Sequence, residues 1–147
     1  MSYHVWSEDG YGISTKGIEL TTTVERIESL LEYAPVFRDD IHNYFKESDI
    51  EKPTVEDYLD FDQDYGHGAA YLLKEVIKEA ENLELITAEN FDCEHYILLS
   101  PSYPWSDVND RYKAMTQEEL DCIFKKYAAV LSDEEVKPNY ESVENGG

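Results

Sequence analysis

A chain of 147 residues with 41 % hydrophobic and 13 % aromatic side chains has the material for one self-supporting domain. That argues against a disordered chain and leaves no need for a structural metal or disulfide. Thirty-three acids against twelve bases give a net charge of −21, which argues against free nucleic acid and anionic membranes as partners because both would repel it.

Residues 3–6 form a β-prone run, Asp9-Gly10 is a turn pair, and residues 11–15 resume the pattern. Together they predict a β-hairpin. Thr22 with Glu25 fits a capping box, and Val24, Ile27, Leu30 and Leu31 recur at helical spacing. The expectation is a helix over 24–33. Ala34-Pro35 ends it and starts a second helix over 35–46, since Pro suits a first helical turn. This helix pair lacks the basic residues of a DNA-reading motif. Thr54 with Asp57 caps a third, short helix.

Residues 69–81 are the clearest helix. Ala70, Leu73, Val76, Ile77 and Ala80 form one face, and Lys74, Glu75, Lys78, Glu79 and Glu81 the other. Strands are predicted over 83–87 and 95–99, the second central because it is the most apolar. Thr116 with Glu119 opens a helix over 117–130, and residues 139–143 read as a late edge strand.

This order predicts a single α+β domain over residues 1–147. A mixed or antiparallel sheet of about five strands would carry four to five helices, mainly on one face. Periodicity places Ile27, Leu30, Leu31, Ile41, Phe45, Leu73, Val76, Ile77, Ile97, Leu99, Leu120 and Phe124 in the core. No apolar run reaches about 18 residues, and no signal peptide is read, so the expectation is a soluble, cytoplasmic protein. Cys93 and Cys122 are expected to be reduced and mostly buried.

Motifs for chemistry are weak throughout. Asp60, Asp62 and Asp64 match positions 1, 3 and 5 of a calcium loop, but Tyr65 stands where Gly is needed and Tyr71 where the bidentate Glu is needed. His42 and His67 lack zinc-ligand spacing, and Gly66-His67-Gly68 lacks the lysine of a phosphate loop. Cys93-Glu94-His95 could pair a nucleophile with a base, yet no oxyanion loop accompanies it. The expectation is a protein with no catalytic residues, no metal and no cofactor.

The acids are unevenly placed. Residues 39–64 hold ten of them against Lys46 and Lys52, a net −8. Carboxylates on a folded surface can occupy sites that phosphates fill in a basic channel, and their field steers the encounter. Asp57, Asp60, Asp62 and Asp64 are the expected centre of this face, with Tyr58 and Tyr65 as aromatic anchors. Tyr44 and Phe61 lie in the same stretch, and any of these rings could instead belong to the core. Residues 101–107 set Tyr103 and Trp105 between and beside prolines, as a lid on the core or an exposed hot spot.

In size, acidity and tyrosine content, the chain resembles small accessory proteins of phages and mobile elements, of the anti-CRISPR or nucleic-acid-mimic type. The resemblance rests on composition and transfers no residue. It implies a basic nucleic-acid-handling protein as partner, such as a CRISPR effector, and a monomer or small homo-oligomer. The competing readings are a cytosolic interaction module with an incidentally acidic surface, and an unrecognised enzyme with a pocket at Cys93 or His95.

Overall fold

The computed structural model describes residues 5–61, 68–99 and 116–146, with side chains from 10 to 144 within those spans. Its elements run β1 (Val5–Ser14), α1 (Lys16–Thr21), α2 (Val24–Leu31), α3 (Pro35–Glu47), α4 (Val55–Leu59), α5 (Gly68–Glu81), β2 (Ile86–Glu89), β3 (His95–Leu99), α6 (Gln117–Leu131) and β4 (Asn139–Gly146). The class is α+β, with one antiparallel sheet in the order β2-β3-β1-β4.

Among the described residues the sheet has four strands rather than five, because the expected hairpin is a single strand. Asp9-Gly10 does not turn. It lies within β1, where Asp9 faces Ser142 and Gly10 faces Glu141 on β4. The glycines serve close approach instead. A Cβ on Gly10 would sit 2.6 Å from the Leu99 carbonyl oxygen, and one on Gly12 only 1.9 Å from that of Ile97. Glycine inside a strand marks such a backbone contact as readily as a turn. Pairing with β3 on one side and β4 on the other holds the segment extended, against its local turn preference.

The strand expected at 83–87 forms later, at Ile86–Glu89. Leu83 and Leu85 keep the alternating pattern but lie in the connection after α5, buried in the core and outside any strand. The first helix cap is also displaced by one residue. Thr23, not Thr22, accepts from the Arg26 N–H at the start of α2, while Thr22 closes the preceding α1. That short α1 has no side-chain cap at Thr15 and contains Gly17, so its local signal is faint.

Helices cover one sheet face. Tyr11, Ile13, Ile97 and Leu99 point into the helical core, while Ala88, Leu98 and Val143 form a small apolar cluster on the other face. All twelve residues assigned to the core by periodicity are buried. α6 is tied to the rest by hydroxyls: Tyr11 donates to Asp121, and Tyr127 donates to Glu81 of α5 at 2.6 Å. Both cysteines are exposed, contrary to the burial expected from their apolar neighbours. Cys122 lies on the outer side of α6 between the buried Leu120 and Ile123, and Cys93 sits in the turn before β3.

One cap comes from a distant part of the chain. Ala34 gives α3 no side-chain cap, and Glu79 of α5 replaces it, accepting from the N–H groups of Val36 at 2.9 Å and Phe37 at 3.0 Å. A carboxylate there also faces the positive end of the helix. Glu79→Ala should therefore lower stability by about 1 kcal/mol, read as a lower urea midpoint at unchanged slope. Glu79→Gln should recover part of the loss by keeping an acceptor.

Candidate partner-binding face

The acidic stretch is built from α3, the connector 48–54 and α4. The apolar stripe Phe37, Ile41 and Phe45 turns one side of α3 inward and leaves Asp39, Asp40 and Glu47 exposed. Asp49, Glu51, Glu56 and Asp60 are exposed beyond it. Asp57 has a local duty as well. Its Oδ2 accepts from the Thr54 N–H at 2.8 Å and from the Thr54 hydroxyl at 3.1 Å, completing the capping box of α4.

The described aromatic side chains of this stretch turn inward. Tyr58 is only 3 % exposed, so it is no surface anchor. Phe37, Tyr44, Phe45, Tyr58, Phe61 and Tyr71 form a chain of mostly edge-to-face contacts, with centroids 4.9–6.4 Å apart. Among the residues expected to meet a partner, Asp57, Tyr58 and Asp60 are thus placed together on and after α4. Asp62, Asp64, Tyr65, Tyr103 and Trp105 lie outside the described residues.

Beside this face is an open cleft of about 500 Å³ between α2, α3, the connector and α4. Glu28 of α2 stands in it, bonded from two other helices. The Tyr58 hydroxyl donates to Glu28 Oε1, and His42 Nε2 lies 2.9 and 3.1 Å from its two carboxylate oxygens. Burial, and then the bond to Glu28, push the Tyr58 phenol above its ordinary value, so it stays a neutral donor. Glu28 was not legible as a site residue. It is 14 positions from His42 and 30 from Tyr58, and only the packing of α2 against α3 and α4 joins them.

A second polar cluster lies where α1, β3 and the start of α5 meet. Glu19 Oε1 is 2.9 Å from His95 Nδ1 and accepts from the Ala69 N–H at 3.1 Å. A Cβ on Gly68, whose φ is +56°, would come within 2.5 Å of the same oxygen. The bond to Glu19 raises the His95 pKa, against an opposing effect of burial. The sign follows. A histidine titrating higher when folded contributes stability that is fully present below about pH 6.5 and lost as pH rises through the folded value. The stability difference between the native protein and His95→Asn should therefore shrink on raising the pH from 6 to 9 in urea melts. A constant difference would mean that the pair contributes only through packing.

Cys93 is not aligned on the strand with His95. It occupies the turn, at φ +60°, where Asn90 Oδ1 accepts from the N–H groups of Asp92 and Glu94. A hydrogen bond to Glu89 pushes its thiol up, the wrong direction for a nucleophile. Among the described residues no group of three or more His, Cys, Asp or Glu could hold a metal ion. None of the described helices is long and apolar enough to cross a membrane. No protein-family model, curated protein or solved structure matches the chain.

Proposed function

We propose that this protein is a non-catalytic acidic inhibitor that occupies a basic nucleic-acid-binding surface of a bacterial defence nuclease, in the manner of anti-CRISPR proteins and DNA mimics. One observation carries the reading. Glu47, Asp49, Glu51, Glu56 and Asp60 are all exposed, and among the described residues none has a cation within ion-pair distance. Unneutralised charge of one sign costs the folded state self-repulsion but creates a field that draws in a basic partner. The stretch offers that field on helices and a short connector, with its described aromatic side chains kept as scaffold.

A second reading has its own support. Glu118, Glu119, Asp133, Glu134, Glu135 and Glu144 are also exposed, on and after α6. Acids spread this widely suit an accessory or interaction module whose charge serves solubility. A competition experiment separates the two. A CRISPR effector nuclease is bound to labelled DNA, and the protein is added at 50 and 300 mM salt. Under the inhibitor reading the protein displaces DNA, more strongly at low salt. Absence of displacement from a panel of such nucleases at low salt would leave the second reading.

A further inference from the structure

We propose that the cleft between α2, α3 and α4 receives one arginine side chain of a basic partner protein. The inference rests on the reading that this face meets a basic protein surface, and it names the group taken there.

The cleft has the size and character of a side-chain receptor. It is open to solvent and offers about 500 Å³, with Phe45, Ile50 and Pro53 supplying apolar wall. Glu28, Asp49 and Glu51 supply carboxylates, against the single ammonium of Lys46. A long cationic side chain with an apolar stem complements both features.

Glu28 selects among cations. Its carboxylate is held by Tyr58 from α4 and His42 from α3, yet the side chain remains 35 % exposed. A carboxylate already oriented loses little freedom when a ligand binds. Oε1 already accepts from Tyr58 and lies 2.9 Å from His42 Nε2, so Oε2 carries the free acceptor capacity, and a guanidinium with its five donors can bond it while reaching a second carboxylate of the cleft. Phe45 and Tyr58 line the cleft floor, buried and packed edge-to-face on each other, so they offer apolar contact to the stem and not an open ring face. A guanidinium is weakly hydrated and gives up its water to enter such a cleft, whereas an ammonium holds its water more tightly.

The test titrates acetyl-Gly-Arg-Gly-amide into isotope-labelled protein followed by NMR, beside peptides with lysine or citrulline in place of arginine. The arginine peptide is expected to shift the amides of Glu28, Phe45, Ile50 and Tyr58 saturably. The lysine peptide should bind about tenfold more weakly, and the neutral citrulline peptide should not saturate. Glu28→Gln keeps an acceptor for Tyr58 but removes the charge, and should weaken arginine binding about tenfold. Asp49→Asn with Glu51→Gln alters only the exposed connector and should weaken it as well. The proposal is overturned if arginine shifts are scattered over the acidic surface, if lysine binds equally, or if both variants bind unchanged. Its failure is distinct from that of the inhibitor reading. Salt-dependent nuclease binding with unchanged cleft variants removes the cleft alone. Saturable arginine binding without nuclease binding removes the inhibitor reading alone.

Discussion

Under the proposed inhibitor reading, neutralising Asp40, Glu47, Glu56 and Asp60 together to their amides should slow association with a basic nuclease by about tenfold or more at low ionic strength. Steering acts on the encounter, so dissociation should change less, and the salt dependence of association should flatten. Stopped-flow or surface-capture kinetics over a salt series would measure both. These four positions separate charge from structure. All are exposed and none lines the cleft. Asp57 is left intact because its carboxylate completes the cap of α4. Folding should survive, since removing like charges relieves repulsion, and Glu47 and Asp60 sit at the negative ends of α3 and α4. Unchanged association with an unchanged salt slope would assign these acids to solubility.

Ile97→Ala should cost about 2–5 kcal/mol of folding stability. Ile97 is 0 % exposed on the inner face of β3. It is flanked in register by Ile13 of β1 and Thr87 of β2, under the helices. The neighbouring backbone is poorly able to collapse into the space. Gly12 of β1 already lies so close to the Ile97 carbonyl that a Cβ there would clash, and β3 is paired on both edges. A rigid wall leaves a cavity, and cavity volume adds to the lost transfer energy. Urea melts would show the loss as a lower midpoint. A cost below about 1 kcal/mol would mean that the site repacks freely.

Local pattern by itself determined most of the helices and the core. The apolar stripes on α2, α3, α5 and α6 set which faces turn inward, since helical period and burial are both properties of one segment. Thr54-Val55-Glu56-Asp57 likewise contains both halves of its capping box within four residues. The acidic character of residues 39–64 was equally plain, because exposed charge follows from composition.

Tertiary structure decided what depends on partners far along the chain. Asp9-Gly10 is a turn pair locally, but β3 and β4 arrive from some 90 and 130 residues away and hold it in one strand. Glu79 caps a helix that begins 44 positions earlier, and Glu19 meets His95 across 76 residues. Tyr58 could have been anchor or core by its sequence alone; packing against Phe45 and the bond to Glu28 placed it inside. The cleft is of the same kind. Its carboxylate, imidazole and phenol stand on three helices, and no spacing rule within a single helix brings them together.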